Sequence, residues 1–356
     1  MFSMSIKDNI LELGIQAKKS SIKMKLCNND QKNKALSNLI KNILKNKNKI
    51  LEANNIDLEN GKKKSLSNPL MNRLTLTDKS IESLVKSIED IITIPDPIGL
   101  ILEEWERPNG LKFRKISTPL GVLGVIYESR PNVTVDASCL SIKSGNCIIL
   151  RGGSDSFYSS RELVNNISLA FSEAGLPDHC VQMIDTPERE AVDYLLNMQD
   201  YVDVIIPRGG KGLIEKINSA SKIPVIKHLD GICHVYVDKD ADLKIAEKVV
   251  FNSKMRRPEI CGAAETLLID NSLKDKVMNI LQPLKNVNCE IRGDEFIQSL
   301  DKDFKKANEK DWSLEYLDKI LSVKIVSGVQ DAINHINYYS SGHTESIITD
   351  NEETFK

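Results

Sequence analysis

The strongest constraint on the fold is an alternation that begins at residue 121. GVLGVIY at 121–127 is an apolar, β-branched run that reads as a buried strand. GNCIILR at 145–151 is a second strand, and it ends at Gly152 and Gly153. A helix follows, with Leu163, Ile167, Ala170, Phe171 and Ala174 on one face. It stops at Gly175, with Pro177 just beyond. VQMID at 181–185 is a strand, 188–198 is helical, and VDVIIP at 202–207 is the next strand. RGGKG at 208–212 opens another helix, and PVIKH is a strand ending at His228. Strand and helix in strict turn predict a parallel, doubly wound α/β sheet.

A second cycle starts after Gly231. ICHVYVD is a strand, Asp240 or Asp242 can cap a helix running through Val250, and ETLLID at 265–270 and VKIVS at 323–327 are further strands. A length of 356 residues calls for two domains. The break is placed near 230, giving domains 1–230 and 231–356. Residues 1–95 read as helical, with Leu36, Ile40, Ile43 and Leu44 at helical spacing. RPNGLKF at 107–113 sets Pro-Asn-Gly between extended stretches, a hairpin signal.

Charge and cysteine usage exclude several classes. The 48 basic and 50 acidic side chains nearly cancel, against the basic excess of a general nucleic-acid binder. The lysine-rich stretch at 41–49 reads as a solvated helix face rather than a nucleic-acid patch. The seven cysteines are scattered without a C-x-x-C pair, which points to a reducing, cytoplasmic setting and away from a zinc or disulfide framework. No signal peptide and no membrane-spanning run is expected. The five histidines lack metal-ligand spacing, so no metal is expected.

Two features could carry chemistry. The turns Arg151-Gly152-Gly153-Ser154 and Arg208-Gly209-Gly210 join strand to helix, where free N–H groups suit an anion such as a cofactor phosphate. Ordinary βα turns also use glycine, so a purely structural role stays open. Cys261 lies in NSKMRRPEICGAAET, with Lys254, Arg256 and Arg257 just upstream. Cations favour the thiolate, the reactive form of cysteine. The alternative is a small buried hydrophobe, which suits Cys139, Cys147 and Cys233 among their apolar neighbours.

Longer segments add a resemblance. GVLGVIYESRPNVTVDASCLSIKSGNCIILRGGSDS (121–156), IPVIKHLDGICHVYVDKDADL (223–243), RRPEICGAAETLL (256–268), DWSLEYLDKILSVKIV (311–326) and AINHINYYSSGHTESI (332–347) resemble, in order and spacing, the gamma-glutamyl phosphate reductase family of the aldehyde-dehydrogenase superfamily. The resemblance implies an aldehyde-dehydrogenase-like fold: a Rossmann-like cofactor domain, an α/β catalytic domain and an oligomerisation hairpin at about 105–120. It makes Cys261 the nucleophile, Asn132 the side-chain oxyanion donor, and Arg256 and Arg257 the groups for phosphate or the glutamate carboxylate. The cofactor it implies is NADPH, held by Arg151, Gly152, Gly153, Ser154, Arg208, Gly209 and Gly210.

The implied reaction is reduction of L-glutamate 5-phosphate to L-glutamate 5-semialdehyde with release of phosphate, the second step of proline biosynthesis. A homo-oligomer, and a glutamate 5-kinase that supplies the labile acyl phosphate, are the implied partners. Hydrolytic aldehyde dehydrogenases carry a water-activating glutamate where this chain has His228, 33 residues before Cys261. That substitution favours reduction over oxidation. Arg256 stands where the family has glutamine and Gly262 where it has asparagine. Family members continue past the point matching Lys356, so the catalytic domain is expected to be incomplete at its C-terminus. A non-catalytic binding module and a hydrolytic semialdehyde dehydrogenase are the competing readings.

Overall fold

The computed structural model describes residues 5–356, apart from His228 and the side chain of Pro69. The chain divides into two compact units, residues 1–227 and 228–356.

The first unit opens with five helices: α1 (Ile6–Met24), α2 (Asn29–Lys45), α3 (Lys47–Lys63), α4 (Asn68–Leu74) and α5 (Asp78–Thr93). Side-chain caps from Ser5, Asn28 and Thr77 set the starts of α1, α2 and α5. Asn28 accepts from the Gln31 N–H at 2.9 Å while the Gln31 side chain accepts from the Asn28 N–H at 3.1 Å, closing a capping box before α2. Leu36 and Ile43 of α2 are buried as their spacing implies, whereas Leu44 is exposed. A ribbon follows, β1 (Ile101–Glu106) and β2 (Lys112–Ile116), antiparallel and exposed at every position. Its turn closes through Arg107 N–H to Leu111 O at 2.9 Å, with Gly110 at φ 83°, where glycine is favoured. The strands thus run 101–116, starting and ending earlier than the expected 105–120. The reason is that Pro-Asn-Gly forms the turn itself, so its first strand lies upstream of it.

Next come β3 (Val122–Tyr127), α6 (Pro131–Lys143), β4 (Cys147–Gly152), α7 (Phe157–Glu173), β5 (Val181–Met183), α8 (Glu190–Leu195), β6 (Val204–Arg208) and α9 (Lys211–Ala220). The four strands form a parallel sheet in the order β5-β4-β3-β6. β3 is buried at all six positions, as a strand covered by helices on both faces must be. The expected strand PVIKH does not form. Only a single bridge links Val225 to Ile205. The Ile205 N–H donates to Pro224 O and the Ile226 N–H to Ile205 O, both at 2.9 Å, but the next β6 residue that would donate on that side is Pro207, which has no N–H.

The second unit contains β7 (Cys233–Val237), α10 (Leu243–Met255), β8 (Ala264–Asp270), α11 (Val277–Asn286), β9 (Glu290–Gly293), α12 (Glu295–Leu300), β10 (Lys305–Lys306), β11 (Ile320–Val326), α13 (Val329–Tyr339), β12 (Glu345–Ile348) and α14 (Glu352–Phe355). Its sheet is wholly parallel, ordered β10-β9-β11-β8-β7-β12. Asp242 is the cap of α10, accepting from Lys244 and Ile245 N–H at 2.7 and 3.2 Å. The helix continues past Val250 to Met255. Leu267, Ile269, Leu281, Leu284 and Val323 are fully buried and build the core between sheet and helices.

Candidate active site

In the first unit the expected nucleotide residues converge on one edge. Parallel register aligns Tyr127 with Gly152 on one side and with Arg208 on the other. The turns after β3, β4 and β6 therefore sit side by side at the carboxyl end of the sheet. β4 and β5 lie to one side of β3 and β6 to the other, so the strand order reverses between β3 and β6. Such a switch point is where open α/β sheets bind ligands. Asn132, Arg151–Ser154 and Arg208–Gly210 all belong to this edge.

Their roles there differ. Asn132 is exposed in the first turn of α6, and its Nδ2 donates to Asp136 Oδ2 at 3.3 Å. Arg151 turns back on the protein, donating to Gly152 O at 2.8 Å and to Pro187 O at 3.0 Å. It braces the turn rather than reaching outward. Gly153 packs so closely that a Cβ would lie 3.1 Å from the Ser129 nitrogen. Ser154 and Arg208 are exposed. Glu128 was not anticipated from sequence. Its Oε2 accepts from the Gly210 N–H, the N-cap of α9, at 2.9 Å. A carboxylate is thus already seated at a helix N-terminus that suits anions, which fits these residues to a phosphate-bearing cofactor. The residues involved are 82 apart, so no local pattern announces the contact.

In the second unit Cys261 lies on the turn between α10 and β8 and is half-buried. Arg256 and Arg257 are exposed on the same turn and form no ion pair among the described residues. Lys254 does not serve the thiol as the sequence suggested. It is fully buried, and its Nζ pairs with Glu265 Oε2 at 2.6 Å. Burial pushes the Glu265 carboxyl up to about 7, against the opposing pull of Lys254. The turn is held from below. Gly231 packs against it so tightly that a Cβ would lie 1.9 Å from Cys261 O. Cys233 Sγ donates to that same carbonyl at 3.2 Å. Burial raises the Cys233 thiol to about 11, which keeps it protonated as that donor. Cys139, Cys147, Cys180 and Cys289 are buried too, and all seven cysteines are free. His228 lies outside the described residues.

Among the described residues no three His, Cys, Asp or Glu side chains gather as metal ligands. No described helix is long and apolar enough to cross a membrane.

Comparison with known proteins gives this geometry its context. The aldehyde dehydrogenase family profile matches residues 8–288. The gamma-glutamyl phosphate reductase of Bartonella tribocorum is 46% identical over 345 residues, which span 97% of this chain and 84% of that one. The crystal structure of the Thermotoga maritima gamma-glutamyl phosphate reductase superposes with a TM-score of 0.90 at 38% identity, covering 97% of this chain and 84% of that one. An engineered glycolyl-CoA reductase with bound NADP+ shares the fold at a TM-score of 0.62 and 17% identity, covering 97% of this chain and 83% of that one. Aldehyde dehydrogenases typically work with NAD or NADP. A glycine-bearing edge on a parallel sheet, a half-buried thiol on a cation-bearing turn and a match along nearly the whole chain agree: the chain belongs to the aldehyde dehydrogenase family and, within it, to the gamma-glutamyl phosphate reductases.

Proposed function

We propose that this chain reduces L-glutamyl 5-phosphate to L-glutamate 5-semialdehyde with NADPH, through a thioester on Cys261. The observation that carries the reading is the half-buried Cys261 on a turn with two exposed arginines, where five of the other six cysteines are buried and the sixth, the half-buried Cys27, has its thiol pushed up by burial.

The Cys261 thiolate attacks the acyl carbon, the carbon–oxygen bond to phosphate breaks, and a thioester and inorganic phosphate result. Arg256 and Arg257 receive the departing phosphate or the glutamate carboxylate by charge-assisted hydrogen bonds. The Cys261 N–H and the Asn132 side chain serve as oxyanion donors, each worth about 2.7–4 kcal/mol in comparable sites. The reduced nicotinamide, when bound, supplies the hydride. Collapse of the resulting alkoxide releases the aldehyde and regenerates the thiolate.

The cofactor domain is assigned to residues 1–230 and the catalytic domain to 231–356. The backbone N–H groups at Gly152, Gly153 and Ser154 and at Gly209 and Gly210 hold the pyrophosphate, with Arg208 adding charge and Arg151 bracing the turn. The preference for NADPH follows the family resemblance and is supported by the NADP+ bound in the glycolyl-CoA reductase that shares the fold. Homo-oligomerisation through the exposed ribbon, with Trp105 stacked on Phe113 at 5.4 Å, belongs to the same proposal. So does a glutamate 5-kinase partner for the short-lived acyl phosphate, in a reducing cytoplasm that keeps the thiols free.

The test is the reverse reaction on the full chain: phosphate-dependent reduction of NADP+ with glutamate semialdehyde. The wild type turns over and Cys261→Ala loses at least about a thousandfold. Wild-type rates in Cys261→Ala, or turnover that ignores phosphate, would contradict the proposal.

A further inference from the structure

Lys254 and Glu265 are 11 residues apart in sequence, and the whole turn that carries Cys261 lies between them. Lys254 lies in the last turn of α10 and Glu265 is the second residue of β8. Their side chains are 0% and 1% exposed, and the contact is 2.6 Å. We infer that this buried pair is a positioning device for Cys261. It joins the two stems of the turn and so fixes where the thiol is presented. The inference rests on the proposal that Cys261 is the nucleophile.

Three further contacts turn the pair into a frame. Glu265 Oε1 accepts from the Leu317 N–H at 3.3 Å. Two residues earlier, Glu315 Oε1 accepts from the Gly231 N–H at 3.0 Å. Gly231 is the residue pressed against the Cys261 backbone. Segment 315–317 thereby ties the far stem of the turn, at Glu265, to the strand-side support beneath it, at Gly231. The Lys254 ammonium also lies 5.9 Å from the Tyr316 ring centre in the same segment.

A buried ion pair is a poor choice for stability alone, because well-packed apolar residues of similar volume serve as well or better. What it supplies is a short, directional link. That matters where a displacement of about 1 Å costs about a hundredfold in rate. Neither side chain reaches substrate, so both are positioning residues.

The test replaces the link while keeping the packing. Lys254→Met/Glu265→Met in the full chain is expected to melt within a few degrees of the parent and to bind NADP+ unchanged. Its KM for glutamate semialdehyde should hold within about twofold while kcat falls about tenfold or more. Iodoacetamide labelling of the Cys261 peptide, read by mass, changes rate in step with kcat. A kcat within twofold of the parent at an unchanged melting temperature overturns the inference. Should the double variant not fold, the near-isosteric Glu265→Gln decides: a fall in kcat of about fivefold or more with unchanged KM supports the inference, and an unchanged kcat overturns it. If Cys261→Ala is as active as the parent, the nucleophile assignment itself fails. If Cys261→Ala is inactive while the paired variant is fully active, only the positioning role fails.

Discussion

The turn after β6 and the turn before β8 both combine glycine with arginine, yet they are held in opposite ways. After β6, the Gly210 N–H is taken by the exposed Glu128 carboxylate, and the backbone itself faces solvent. Before β8, the backbone is fixed from beneath by Gly231 and Cys233, and the side chains of Arg256 and Arg257 face outward. The first arrangement suits a ligand that binds main-chain donors and displaces a resident anion. The second suits chemistry at a side chain whose position must not drift. The same residue types thus serve two purposes, set by whether the backbone or the side chain is left available.

The largest effect should come from removing the support of the second turn. A methyl group at 231 would collide with the Cys261 carbonyl, so Gly231→Ala must shift the turn. We expect kcat to fall about a hundredfold while NADP+ affinity, read by fluorescence titration, stays within twofold. A loss of nucleotide binding instead would erase the contrast between the turns. Next in size, Arg257→Ala should raise the KM for the phosphorylated substrate about tenfold with little change in kcat, the mark of a lost charge-assisted contact. An unchanged KM would shift that role to Arg256.

Much of this arrangement was legible in the sequence, and what was hidden has a physical reason. β3, β4 and β8 each hold a short apolar run, VLGVIY, CIIL and LLI, because both faces of a parallel sheet are covered, and such runs stand out. Local chemistry narrowed the cap of α10 to Asp240 or Asp242, and the structure puts it at Asp242. PVIKH looks like a strand by composition, and its own residues do not reveal that the facing strand β6 lacks a donor at Pro207. β9 and β12 escaped notice because each is four residues long and neither is continuously buried. Lys254 read as a cation for the thiol, since nothing local reveals that its charge is consumed by Glu265. Glu128 gave no signal at all, because its partner is 82 residues away in sequence, on the turn after the neighbouring strand β6.

Glu128 provides the third test. If its carboxylate occupies the place a phosphate takes, Glu128→Gln removes a repulsion and should tighten NADP+ binding about threefold to tenfold, with kcat nearly unchanged. Weaker binding would mean that Glu128 organises the turn rather than competing for it.

The smallest effect separates the two units by pH. His335 is buried in the second unit against Trp312, Tyr339, His234 and the Lys324 ammonium, 3.3 Å from its Nδ1, with Asp331 on its own helix. Burial first, then the positive neighbours, push it down to about 3. A depressed histidine resists protonation only when folded. Its contribution is therefore present above the usual histidine range and is lost as pH falls from about 6.5 towards 3. Going from pH 8 to pH 6, the parent should lose a few degrees of melting temperature relative to His335→Gln, because the Glu265 carboxyl, raised to about 7, shifts both proteins the opposite way and cancels from that difference. An equal change in both proteins would show that His335 is not the group responsible.

The most direct measurement is to trap the acyl-enzyme. Glutamate semialdehyde and NADP+ are mixed with the full chain without phosphate, and the digested protein is read by mass. A glutamyl adduct on the peptide containing Cys261, removed by hydroxylamine and absent in Cys261→Ala, is the predicted result. An adduct on any other peptide, or the same adduct in Cys261→Ala, would contradict the account.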